Sequence, residues 1–157
     1  MEAIQQQSTQ YLTFNLDQEV FAVDVGRVRE ILELSSITKV PRTPAFMRGV
    51  INLRGSVVPV IDLRLKFGMT VTEQTVNTCI IVVEVQMDDE TIVLGALADS
   101  VQEVIEMEPE QIAAAPHIGT QLNTDFIRGM GKHEGRFVMI LDIDRIFSSE
   151  ELASVAR

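Results

Sequence analysis

The sequence predicts a mostly β protein built from two similar units, and three observations predict it. Short segments rich in β-branched residues alternate apolar and polar positions, polar turn formers separate them, and one stretch of chain recurs downstream at a fixed offset. Many short strands punctuated by turns fit a barrel or a sandwich.

Taken in order, the alternation marks strands over residues 11–16, 19–24, 37–40, 49–53, 57–61, 79–85, 91–98 and 137–142. Asn15-Leu16-Asp17-Gln18-Glu19 and Met87-Asp88-Asp89-Glu90 lie between paired apolar runs, so each half opens with a hairpin. Helices are few. Thr43-Pro44-Ala45-Phe46 and Thr124-Asp125-Phe126 each read as one capped turn, with Pro44 suited to a first helical position. Residues 63–67 and 143–147 carry short helical patterns. Ser148 and Glu151 have capping-box spacing, and Phe147 with Leu152 occupies the staple positions, which predicts a helix over about 149–155.

The repeat is the strongest signal. Residues 45–67 align without a gap onto residues 125–147 at an offset of 80. Phe46 matches Phe126, Arg48 Arg128, Gly49 Gly129, Gly55 Gly135, Val58 Val138, Asp62 Asp142 and Phe67 Phe147, against roughly one or two identities expected by chance. Upstream, Val28, Glu30 and Glu33 match Val101, Glu103 and Glu106 at an offset of 73, which puts a longer loop in the second copy, around residues 109–123. Two units of about 70 residues each would have marginal cores alone, so they are expected to share a hydrophobic seam.

Composition narrows the function. The formal net charge is −10, with no run of Lys and Arg, so nucleic acid is not the expected partner. The single cysteine, Cys79, cannot form an internal disulfide, residues 1–10 lack the pattern of a signal peptide, and no apolar run approaches the roughly 20 residues of a membrane span. A cytoplasmic protein without direct membrane insertion is expected.

Candidate chemistry is sparse. The glycine-rich run Gly129 to Gly135 is not a phosphate-binding loop; its counterpart from Gly49 to Gly55 keeps only the outer two glycines, which reads as a hairpin turn in each copy. Asp62 and Asp142 form a matched pair of carboxylates, which in other settings divide acid and base roles, but each follows an apolar strand and precedes a helical pattern, the place of a capping residue. His117 and His133 have no partners at metal-ligand spacing, so no metal and no cofactor are expected. Cys79 opens an apolar strand and reads as packed. Arg54 stands out because the aligned residue is Glu134: a charge that reverses between copies is not required by the fold, and arginine suits forked hydrogen bonding to a partner. The residues by themselves indicate a binding protein without a nucleophile, metal cluster or nucleotide loop.

The stretches Val28-Arg29-Glu30-Ile31, Ile37-Thr38-Lys39-Val40-Pro41, Thr43 to Gly55 and Val57 to Arg64, continuing through Asp99 to Val104, Ala115-Pro116 and the C-terminal repeat, closely resemble the CheW family of chemotaxis coupling proteins. That resemblance implies two pseudo-symmetric five-stranded SH3-like β-barrels around a common core. It implies one domain over residues 8–157, with intertwined subdomains at about 20–75 and 80–147, terminal segments that cross over, and a flexible lead over 1–7. It implies a non-catalytic adaptor of two-component signalling, whose partners are the regulatory domain of the histidine kinase CheA and the cytoplasmic hairpin tip of methyl-accepting chemoreceptors, in arrays at the inner face of the membrane. By motif match, Val28, Glu30, Arg54, Cys79 and Val101 take the receptor-binding role. Ile118 takes the kinase contact, although the family often has an aromatic residue there. Gly49, Gly55, Asp62, Gly129, Gly135 and Asp142 serve as structural turns and caps.

Overall fold

The computed structural model describes residues 9–34, 36–87, 89–113, 126–147 and 151. The first half runs β1 (Thr9–Leu16), β2 (Glu19–Asp24), a 3-10 turn, β3 (Val28–Glu33), β4 (Met47–Leu53), β5 (Ser56–Asp62) and a single-turn helix α1 (Leu63–Lys66). The second runs β6 (Cys79–Met87), β7 (Glu90–Ala98), β8 (Ser100–Met107), a short β9 (Ile112–Ala113), β10 (Ile127–His133) and β11 (Arg136–Leu141).

Two curled sheets result, with strand orders β8-β1-β2-β11-β10-β9 and β3-β6-β7-β5-β4. The opening hairpins have changed places. β1–β2 pairs with the strands of the second half, and β6–β7 with those of the first. Each exchange is made the same way: β5 runs parallel to β7 as β11 runs parallel to β2, while β3 and β8 lie antiparallel to β6 and β1. Smaller features repeat as well. The Asp62 N–H donates to the Phe46 carbonyl at 2.7 Å and the Asp142 N–H to the Phe126 carbonyl at 2.8 Å.

This exchange explains why runs such as Cys79 to Val83 are apolar without a break. Every second residue faces its own sheet's interior, where Ile80 and Val82 meet Ile51, Val58 and Leu97; the residues between face the other sheet. There Cys79, Ile81, Val83 and Val85 join Leu12, Phe14, Phe21 and Phe147 in the largest apolar cluster, the shared seam. Aromatic rings stitch it across the copies. Phe67 stacks on Phe126 at 4.3 Å between centroids, and their counterparts Phe147 and Phe46 meet at 5.6 Å.

Several elements differ from expectation. Residues 37–40 do not form a strand; Thr38 makes one bridge to Val50, and Pro41, which has no N–H, cannot extend the ladder. Residues 143–147 form turns in place of a helix. Of the helix expected over 149–155, only Glu151 lies among the described residues, and it is helical. β3 and β8 have no counterpart among the expected strands, because both are edge strands whose charged residues break the apolar pattern. Gly49 and Gly129 lie inside β4 and β10, at bulges, and the turns proper fall at Arg54-Gly55 and Glu134-Gly135.

Candidate partner-binding surface

Arg54 occupies the first central position of the β4–β5 turn at φ 53°, followed by Gly55 at φ 89°. Two successive positive φ values define a type I′ hairpin, whose twist matches that of the strands. The Asn52 side chain holds the turn by accepting from the Gly55 N–H at 2.8 Å. So placed, the Arg54 guanidinium reaches Glu30 on β3 as a fork, Nη1 donating to Oε1 at 3.3 Å and Nη2 to Oε2. β3 and β4 are the first and last strands of their sheet, so this pair spans the mouth that the curl brings together.

The Arg54 side chain is 70% exposed, so the pair is screened and its intrinsic contribution falls in the range of about 0 to 1 kcal/mol. A partner carboxylate or carbonyl can therefore recruit Arg54, and a partner donor Glu30, at little cost. The pair rims an open cleft of about 640 Å³, lined also by Leu53, Val57, Pro59 and Ile92, with Val57 itself exposed.

The other residues expected at the receptor site face the seam, Val28 and Cys79 from the opposite face of the same sheet and Val101 from β8 of the other sheet. Residues directly opposed across a strand pair share a face. Glu30 opposes Val82, which points into its own sheet, while Val28 opposes Val83 and Glu33 opposes Cys79, both of which point to the seam. Val28 and Val101 are half-buried against that seam. Cys79 is buried, and its thiol lies against the backbone of Val101. Burial pushes that thiol up from its ordinary value, an effect the Val101 backbone hydrogen bond partly opposes. Val28, Cys79 and Val101 thus line the seam from both sheets, while Glu30 and Arg54 lie on the side of their sheet turned away from it.

Sequence reasoning missed two residues on the seam-side face. Ile31 on β3 and Val104 on β8 oppose the buried Ile81 and Leu12, yet are 45% and 52% exposed. Their separation is the same 73 residues that relates Val28 to Val101, so the repeat carried the signal. The mouth of the second sheet was missed too. Glu103 on β8 and Glu134 in the β10–β11 turn both approach His133, a partnership that the 30-residue spacing concealed.

Asp62 and Asp142 have different surroundings. Asp62 is fully buried, with Oδ1 accepting from the Arg64 N–H at 3.1 Å and the Thr72 hydroxyl at 2.6 Å, and Oδ2 from Arg48 at 3.1 Å and the Thr72 N–H at 3.0 Å. Asp142 is partly exposed and accepts from the Asp144 N–H at 3.2 Å. A carboxylate whose lone pairs are all engaged by fixed donors is not free to exchange protons with a substrate. Ile118 lies outside the described residues. Among the described residues, no helix is long and apolar enough to cross a membrane.

Comparison with known proteins fits this geometry. Residues 10–151 match the family model for the CheW-like domain. The chain is 36% identical over 146 residues to a chemotaxis protein CheW from Klebsiella aerogenes, covering 93% of this chain and 86% of that protein. It is 35% identical over 140 residues to the chemotaxis protein CheW of Rhizobium meliloti, covering 89% and 88%. Among solved structures, the scaffolding protein TtCheW from Thermoanaerobacter tengcongensis has a TM-score of 0.81 at 32% identity, covering 92% of this chain and 90% of that one.

Proposed function

The chain belongs to the CheW-like domain family, and from that premise we propose that it is a non-catalytic adaptor coupling chemoreceptors to the histidine kinase CheA in cytoplasmic arrays at the inner face of the membrane. The supporting observation is the Glu30–Arg54 fork, a weakly held charge pair on one face of the edge strand β3, whose other face carries the half-buried Val28 and the exposed Ile31. A receptor hairpin tip presents helices, and a helix docks by seating apolar side chains while charges fix its register. Val28 and Val101, with Ile31 and Val104 beside them, supply the apolar seat; Cys79 shapes its floor from beneath; Glu30 and Arg54 set register. The kinase regulatory domain is assigned to Ile118. Control of the kinase then comes from differential contacts in its on and off arrangements, since a partner that binds both equally shifts neither.

The test is binding of purified receptor tip and purified kinase regulatory domain to wild type and Arg54→Glu. Losing a charge-assisted hydrogen bond costs about 1.5 to 3 kcal/mol, so receptor affinity is expected to fall roughly ten- to a hundred-fold. Circular dichroism and kinase-domain binding are expected to hold. Unaltered receptor affinity would refute the assignment.

A further inference from the structure

The mouth of the second sheet is built like that of the first but carries different charges. Glu103 stands where Glu30 stands, at the offset of 73, while His133 and Glu134 replace Leu53 and Arg54 at the offset of 80. In the first unit a guanidinium neutralises the edge-strand carboxylate. In the second, that guanidinium has become another carboxylate, with an imidazole beside it. Arg136 lines the same cleft of about 200 Å³, but its guanidinium donates to the Gln18 carbonyl at 2.9 Å.

We propose that Glu103, His133 and Glu134 form a binding site for a zinc-type divalent transition-metal ion, which closes the second mouth as the Glu30–Arg54 pair closes the first. Ligand spacing supports it. One ligand atom from each residue lies within 4.8 Å of the others, with His133 Nε2 3.6 Å from Glu103 Oε2 and 3.7 Å from Glu134 Oε2. Oxygen and nitrogen ligands about 2.0–2.2 Å from a tetrahedral zinc are separated by roughly 3.3–3.5 Å, so the two histidine–glutamate separations already lie within a few tenths of an ångström of that spacing, and rotation of the Glu103 and Glu134 side chains sets the third.

Ligand chemistry points the same way. One imidazole with two carboxylates suits zinc and its neighbours in the first transition row, with water in the fourth position; magnesium and calcium prefer oxygen alone. The donors also stand on fixed backbone. Glu103 is locked to the buried Thr13, whose hydroxyl donates to the Glu103 carbonyl at 2.7 Å and accepts from its N–H at 3.1 Å. Glu134 and Gly135 sit at φ 53° and 81° in a type I′ turn, the twin of Arg54-Gly55. Such preorganisation reduces the ordering cost of coordination.

The test uses EDTA-stripped full-length protein, with zinc chloride as the probe and magnesium chloride as the hard-cation control. Imidazole resonances and the melting temperature are followed, the His133 signal being identified by its loss in His133→Asn. Zinc is expected to shift that signal saturably and to raise the melting temperature, with magnesium doing neither. Glu134→Arg recreates the first unit's charges, so it is expected to melt no lower than wild type without metal and to lose zinc affinity by roughly tenfold or more. No shift of the His133 signal at millimolar zinc would overturn the site. So would equal zinc affinity in wild type, Glu103→Gln and Glu134→Arg.

Discussion

Replacing Asp62 by asparagine should destabilise the protein far more than the same change at the matched Asp142. Asp62 has zero exposure and takes four donors, two on each oxygen, from Arg48, Arg64 and Thr72. An asparagine has one oxygen and one NH2 group, so either orientation sets a donor against donors. The best orientation turns the amide nitrogen toward Oδ1, where the Thr72 hydroxyl can rotate to accept, but it still orphans the Arg64 N–H and leaves Arg48 without its anion. Breaking a buried pair costs about 3 to 5 kcal/mol, and Arg48, 35% exposed, places this case near 3. Asp142 is 33% exposed and caps one N–H, at 3.2 Å, while Arg145 lies 3.8 Å away. Asparagine caps as well as aspartate, so that substitution costs about 0.5 kcal/mol or less. For a chain of this size 1 kcal/mol moves the melting temperature by roughly 2–4 °C, which gives a fall of about 6–12 °C for Asp62→Asn and about 1–2 °C for Asp142→Asn. Calorimetry and urea denaturation followed by far-ultraviolet circular dichroism would measure both. Equal falls, or the reverse order, would refute the assignment of these carboxylates to structure.

Gly49 and Gly55 invite a parallel comparison. A Cβ on Gly49, at φ 144°, would sit 2.2 Å from the Thr38 carbonyl oxygen, whereas one on Gly55, at φ 89°, would meet nothing. Gly49→Ala is expected to forfeit the Thr38–Val50 bridge and several kcal/mol, and Gly55→Ala only the backbone strain of about 1–2 kcal/mol, as read by melting temperature. The buried Cys79 thiol should alkylate slowly at neutral pH, because burial holds it protonated above its ordinary value of 9.0. Since its folded value exceeds its unfolded one, the stability it confers is intact below pH 9.0 and declines as pH rises past that point. The difference between wild type and Cys79→Ala, measured across that range, isolates the effect; a difference independent of pH would contradict it.

What the sequence revealed follows from where each signal originates. The hairpins β1–β2 and β6–β7 were legible because their residues alternate between two dry faces and their turns are polar. β3 and β8 were not, because an edge strand is half solvated and its glutamates erase the alternation. The exchange of hairpins left no local trace, for it is a fact about which strands pair. The same reason hid Glu103 from His133. Arg54 was legible by contrast alone, through its mismatch with Glu134, but its bond to Glu30 joins the two outer strands of a sheet, and no spacing rule encodes that closure.

The two copies differ where the exchange allows them to. Each sheet takes strands from both halves, so neither half can complete a sheet or bury the seam alone, and the chain should unfold as one unit. Residues that make the exchange work are the same in both copies: Gly49 and Gly129 at the bulges, Asp62 and Asp142 where the parallel strands end, Phe67 and Phe147 in the seam. The mouths lie outside that network. A hairpin turn there needs a particular backbone twist and a following glycine, and Arg54 and Glu134 meet the requirement equally, both at φ 53°. Once the backbone alone satisfies the fold, the side chain's charge costs the fold little, and it is left free to choose what binds.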